Sequence, residues 1–249
     1  MSSWTPTLTF EERLKQVFIP PRLYSWILYR KGLARGEREL HLVPHLAQRH
    51  RVSIDVGAHK GLYTYAMARC SAHVHAFEPN PKLFAILRRG AAANVTAHNL
   101  ALADRTAEAE LRIPVSGSRV SNQRGSLSAV AVPDHFRSLA VRASRLDDLG
   151  IADVGFIKID VEGAERLVLA GGRDMLRRDR PNLLIEIEER HTKAPLPEIV
   201  GEIAEFGYDC YALRDGALTQ FARIDLDRHH RRCTTRADYI FNFIFLPRA

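Results

Sequence analysis

Apolar residues along this chain fall into short runs separated by longer segments with helical spacing. The runs at 52–56, 73–77, 95–100, 156–160, 183–188, 208–213 and 239–245 read as strands. The segments at 62–68, 81–93, 164–176 and 196–206 carry apolar residues at three- and four-residue intervals and read as helices. Strand and helix alternate, which predicts an α/β doubly wound, mostly parallel sheet with helices on both faces and a ligand crevice at the carboxyl ends of the strands. The last two strand runs have no helical pattern between them and are expected to form an antiparallel pair closing one edge. Before this rhythm begins, residues 8–48 predict two or three amphipathic helices, broken at Pro20-Pro21 and between Gly32 and Gly36, with Leu40, Leu42, Val43 and Leu46 as a core stripe. The expected organisation is a helical extension, 1–48, and one domain, 49–249. Residues 107–142 interrupt the rhythm. After a strand-like stretch at 109–115 they become polar and glycine-bearing, which suggests a lid on the substrate side, with an unstructured insertion as the plain alternative.

The first strand ends in Asp55-Val56-Gly57-Ala58-His59-Lys60-Gly61, and the second ends in Phe77-Glu78-Pro79-Asn80. Gly57 and Gly61 let the backbone pass close to a ligand, and Glu78, about 20 residues on, can accept hydrogen bonds from a ribose diol. An adenosine-containing ligand is therefore expected. A dinucleotide needs a further glycine between these two, where the pyrophosphate meets the helix N-terminus, and that position is absent here. A ligand with no phosphate, carrying an ammonium for Asp55 and a carboxylate for the loop N–H groups, suits the loop better. S-adenosylmethionine has those features.

At 249 residues, 46% hydrophobic and 26% charged, the chain can bury one substantial core but hardly two. Cys70, Cys210 and Cys233 are odd in number and contain no C-x-x-C pair, so neither a disulfide framework nor a zinc site is indicated. No run is long and apolar enough for a membrane span, and the charged start lacks the pattern of a signal peptide, so a cytoplasmic location is expected. The net charge of +7 raises the question of a nucleic-acid partner, but the arginines are scattered along the chain. A small-molecule or glycan acceptor is preferred, and the oligomeric state is left open, a homodimer included.

The stretches Asn99-Leu100-Ala101-Leu102 and Ile157-Lys158-Ile159-Asp160-Val161-Glu162-Gly163-Ala164-Glu165 join the glycine loop and the F-E-P-N-P segment in one pattern. With Arg180-Pro181-Asn182 and the Phe206-Gly207-Tyr208 turn, they make the chain closely resemble the FkbM family of S-adenosylmethionine-dependent methyltransferases over about 37–247. His59 departs from the family, which usually has Asn there. The resemblance implies a class I methyltransferase, Rossmann-like, with an antiparallel last strand, acting mostly on oxygen of sugars and natural products. It further implies that Asp55, Gly57 and Gly61, with His59 between them, hold the methionine part, that Glu78 holds the ribose and Asp104 the adenine amino group, and that Ala101 or Leu102 lies against the ring.

The remaining candidates sit at the strand ends. Lys158 and Asp160 share a face of a central strand, where a charge needs a partner, and Glu186 on the neighbouring strand is the expected one for Lys158. Asp160 and Glu186 are candidates for contact with cofactor or substrate. Methyl transfer to a hydroxyl requires alignment and removal of a proton, for which Glu186 and His191 are the two candidate bases. A divalent metal held by Asp160, Glu186 and a further oxygen ligand would instead acidify the hydroxyl directly, and carboxylate spacing alone does not establish it. Two other classes stay open. A nucleic-acid methyltransferase would account for the charge, yet Asp160-Val161-Glu162-Gly163 stands where an amine-directed enzyme usually carries Asn/Asp-Pro-Pro-aromatic. A non-catalytic partner subunit would be marked by a ruined cofactor loop, and this loop is intact.

Overall fold

The structure, a computed structural model, describes residues 6–34, 37–116, 119–120, 125–127, 135–235 and 238–248. The N-terminal segment forms α1 (Phe10–Phe18), α2 (Pro21–Ala34), a 3-10 turn (Arg38–His41) and α3 (Val43–Leu46). Thr9 starts α1 with a reciprocal capping box to Glu12, and the chain breaks at Ile19-Pro20 because proline cannot extend a preceding helix. Leu40, Val43 and Leu46 are buried, as the stripe predicts, while Leu42 is only partly covered.

The alternating part gives β1 (Val52–Val56), α4 (Leu62–Met67), β2 (His73–Phe77), α5 (Pro81–Gly90), β3 (Val95–His98), β4 (Ala101–Leu102), β5 (Ala107–Ser116), β6 (Arg119–Val120) and β7 (Phe136–Ser144). It continues through β8 (Val154–Ile159), α6 (Glu165–Gly171), α7 (Arg173–Asp179), β9 (Asn182–Glu186), α8 (Glu189–Thr192), α9 (Leu196–Ala204), β10 (Tyr208–Arg214), β11 (Ala217–Gln220) and β12 (Asn242–Pro247). The main sheet has the order β11-β10-β12-β9-β8-β1-β2-β3. Its β3-β2-β1-β8-β9 portion is parallel, and β12 enters antiparallel between β9 and β10. The expected antiparallel pair is present, but β11 and not β10 forms the edge.

One face of the sheet packs Ile54, Ile157, Leu183, Ile185 and Phe243 against α6, α7 and α9. The other packs Val74, Phe156, Leu184 and Ile244 against the N-terminal segment and α4. Both faces are covered, which is why these strands are apolar throughout. Asp55, Lys158 and Leu184 pair across neighbouring strands, and Leu184 packs on the face toward the N-terminal helices.

Three local expectations are corrected. The third strand stops at His98, because the Asn99 side-chain amide donates to the carbonyls of Glu78 and Pro79, each at 2.9 Å, and turns the chain away. Ala101–Leu102 then joins a second sheet, ordered β4-β7-β5-β6, through β7. The helix expected at 164–176 is two helices, since a side chain at Gly171 would place its Cβ 2.0 Å from the Ala103 carbonyl oxygen, and the chain kinks where it crosses that backbone. The segment read as a polar lid contains a long antiparallel pair, β5 with β7, whose inner residues Leu111, Ile113, Leu139 and Val141 make their own small core. The rest of that lid expectation, at 117–118, 121–124 and 128–134, lies outside the described residues.

Candidate active site

At the carboxyl ends of β1, β2, β8 and β9 the chain encloses an open cleft of about 1280 Å³. Asp55, Gly57, His59, Glu78, Ala101, Asp160, Glu186 and His191 all line it. Two expected residues do not. Gly61 instead begins α4, with φ of 88°. Asp104 is exposed and lies 3.9 Å from Arg105, away from the cleft.

One end of the cleft is built around the loop that follows β1. Gly57 has φ of 77°, and a Cβ there would lie 1.8 Å from the carbonyl oxygen of Asp160, so only glycine lets the ends of β1 and β8 approach this closely. Glu78 is buried and accepts from the N–H of His59 and of Asn80, each at 2.8 Å. Burial nevertheless pushes its carboxyl up to about 7. Asp55 accepts from Thr64 Oγ1 at 2.5 Å, and burial raises it to about 6. His59 is held neutral, its imidazole pulled down to about 4 by burial and then by Lys60, and its Nε2 has no hydrogen-bond partner among the described residues. A glycine-tight turn, two buried carboxylates and an orphaned ring nitrogen on one wall fit an adenosyl amino acid, which brings a diol, an ammonium and a carboxylate.

Lys158 corrects the sequence reading. Its Nζ pairs with Asp160, at 3.5 Å, rather than with Glu186. It also donates to the Ile159 carbonyl at 3.3 Å and lies 5.1 Å from the ring centre of Tyr63. Burial pulls the ammonium down, but Asp160, Glu186 and Asp55 more than offset this and hold it charged. The register explains the change of partner, since Lys158 faces Leu184 across β8 and β9 and its own chain brings Asp160 round the strand end.

The cleft also holds a cluster of titratable groups beyond the ends of β8 and β9. His191 Nδ1 lies 2.9 Å from Glu162 Oε2 and 3.7 Å from Glu188 Oε1, and the bond to Glu162 raises the imidazole above its ordinary value. Glu188 is fixed by Arg190 Nη2 at 2.7 Å and by the Tyr239 hydroxyl, and these bonds outweigh burial to keep it ionised. Glu186 behaves oppositely: burial, then the neighbouring Asp160 charge, raises its carboxyl far enough that it carries a proton at neutral pH. Glu162 stands in a left-handed turn, φ 52°, and Ser126 from the β5/β7 insertion donates to its carbonyl at 2.6 Å. Among the described residues no group of three or more His, Cys, Asp or Glu is arranged to hold a metal ion.

Sequence reasoning missed Glu162, Tyr239 and Tyr63. Glu162 was within the quoted signature, and its place directly after Asp160, before a glycine, was the available clue. No periodic signal marks Tyr239, which reaches the cleft only because β12 inserts beside β9. The N-terminal segment also contributes Tyr24, Lys31 and Glu37 to the lining.

A doubly wound sheet with an antiparallel strand beside its fifth parallel one, and a glycine-turn cleft at the switch between β1 and β8, is the architecture of class I methyltransferases. The FkbM methyltransferase domain matches residues 55–210. The chain therefore belongs to the FkbM family, whose members use S-adenosylmethionine. It is 30% identical to the 31-O-demethyl-FK506 methyltransferase FkbM of Streptomyces tacrolimicus over a 197-residue alignment that takes in 66% of this chain and 75% of that relative. Among solved structures it is similar to the methyltransferase FkbM of Methylobacillus flagellatus, at 19% identity and a TM-score of 0.50, over 79% of this chain and 43% of that one. The chain thus spans less than half of that solved protein. A more distant likeness is to an rRNA methylase of Streptococcus thermophilus, at 12% identity and a TM-score of 0.48, over 85% of this chain and 95% of that one.

Proposed function

We propose that the protein is an S-adenosylmethionine-dependent O-methyltransferase acting on a hydroxyl of a sugar or natural-product acceptor. The observation that carries this reading is the Glu162–His191 pair, 2.9 Å apart, which lines the same cleft as Gly57 and Glu78. A carboxylate on Nδ1 fixes the tautomer that leaves Nε2 to accept a proton, which is the arrangement a hydroxyl nucleophile needs. The FkbM relative's name specifies transfer to an oxygen of a natural product, which supports the same acceptor chemistry.

In this reading Glu78 holds the ribose, Gly57 admits the methionine chain, Asp55 and Asp160 face its ammonium, and Ala101 lies against the ring. His59 supplies its free nitrogen to the same wall. S-adenosylmethionine, when bound, supplies a methyl group on a sulfonium. His191 takes the hydroxyl proton at Nε2 while Glu162 stabilises the resulting imidazolium. Glu186, already protonated, is a donor that orients the acceptor and not the base. From the N-terminal segment Ile19, Tyr24, Ile27 and Leu28 also line the cleft and help exclude water.

The test is a labelled-methyl assay over sugar and natural-product acceptors, with a nucleic-acid substrate in parallel. Methyl transfer to a hydroxyl that His191→Ala reduces by ~10²–10⁴ supports the reading. Transfer only to nucleic acid, or cofactor binding with no transfer to any acceptor, would replace it with one of the two alternative classes.

A further inference from the structure

The cradle described above leaves one buried feature unused. Lys158, 1% exposed, has three N–H bonds but a single hydrogen bond among the described residues, to the Ile159 carbonyl at 3.3 Å. Tyr63, 8% exposed, has a buried hydroxyl with no partner at all among them. Both side chains line the cleft, and the ammonium lies 5.1 Å from the tyrosine ring centre. Unmade hydrogen bonds on fully buried groups are costly, and a fold keeps them where a ligand completes them.

We propose that Lys158 and Tyr63 form the subsite for the α-carboxylate of the cofactor's amino-acid end. The proposal rests on the reading that the cleft holds S-adenosylmethionine. Three features point to a carboxylate here. The groups on offer are donors, an ammonium and a phenol, so the ligand atom must be an acceptor. Lys158 is paired across the strands with Asp55, which puts it beside the glycine turn where the methionine part is expected. Besides Tyr63, the titratable groups around it, Asp160, Glu186, Asp55 and Glu37, are all carboxyls, so Lys158 is the positive pole for a zwitterion whose ammonium Asp160 receives.

This gives Lys158, near the end of β8, and Asp160, just beyond it, separate tasks. Lys158 reads the carboxylate from within the sheet, and Asp160, 36% exposed at the strand end, is left to the ammonium. The ion pair of 3.5 Å between them, longer than a good charge-assisted hydrogen bond, is consistent with both groups having a further partner to meet.

The test compares two ligands that differ only in this group, S-adenosylmethionine and decarboxylated S-adenosylmethionine, by calorimetry on the intact chain without acceptor. Wild-type protein should bind the first more tightly. Lys158→Met should weaken S-adenosylmethionine by ~10–100-fold and decarboxylated S-adenosylmethionine by less than about twofold, the worth of one charge-assisted hydrogen bond. Tyr63→Phe, which removes a single oxygen and keeps the ring, should weaken S-adenosylmethionine alone by ~3–10-fold and serves even if the lysine variant does not fold. Equal weakening of both ligands in Tyr63→Phe, or no weakening of either, would overturn the subsite while leaving the cofactor reading intact. Failure of the wild-type chain to bind either ligand would overturn both.

Discussion

Replacing Glu78 by glutamine tests whether this carboxyl is a strained, poised group or an ordinary one. In the free protein it is 5% exposed, and its two oxygens accept from two backbone N–H groups at 2.8 Å. Burial raises it from an ordinary 4.5 to about 7. The folded state therefore binds this proton more tightly than the unfolded state. The stability contributed is fully present below pH 4.5 and is lost as pH rises through 7. A carboxyl displaced this far costs about 3 kcal/mol by pH 8. Glutamine has no charge to lose, but its amide NH₂ must face one of the two N–H donors, a fixed cost of about 1–2 kcal/mol. Urea denaturation at pH 5, 6, 7 and 8 should thus show Glu78→Gln less stable than wild type at pH 5 and equal or more stable at pH 8. The difference cancels the contributions of Asp55 and Glu165, which rise to about 6 and about 7 in both proteins. A gap between the two proteins that is the same at every pH would refute the argument.

Gly57→Ala should cost about 3 kcal/mol or more in thermal melting and abolish cofactor affinity, because its Cβ would meet the Asp160 carbonyl at 1.8 Å. Lys158→Met should cost no more than about 1–2 kcal/mol in urea, short of the ~3–5 kcal/mol for stripping a fully buried pair, because Asp160 is partly exposed and can be rehydrated. If His191 is the base, kcat/KM should rise with pH through a value above the ordinary histidine pKa, and Glu162→Gln should move that limb downward, since the Glu162 bond is the main cause of the rise. An unmoved limb in that variant would exclude the pair from catalysis. Glu186→Gln should leave turnover within a few-fold of wild type, given the proton on Glu186.

The scaffold and the shape of the first two strand-end loops were legible in the amino-acid order. The strands Val52–Val56 and His73–Phe77 stand at the boundaries their apolar runs predict, because a strand buried on both faces has no freedom in which residues are apolar. Gly57 and Glu78 were legible for a related reason: each answers a requirement of local backbone geometry or of spacing within one βαβ unit. The second sheet was half legible. Leu139, Val141 and Ala143 alternate with exposed residues in the manner of a strand, but Gly125, Ser126 and Pro133 near them drew the reading toward a loop. How charges on different strands meet depended on the folded register and could not be read from spacing. Alternation placed Lys158, Asp160 and Glu186 near one another, yet the register of β8 against β9 and the turn after Ile159 chose Asp160 as the partner. The same holds for the cluster of Glu162, His191, Glu188 and Tyr239, which come together from three separate segments. Their roles depend on distances of a few ångströms and on shared burial, and those quantities exist only once β12 has inserted beside β9 and the chain has closed around the cleft.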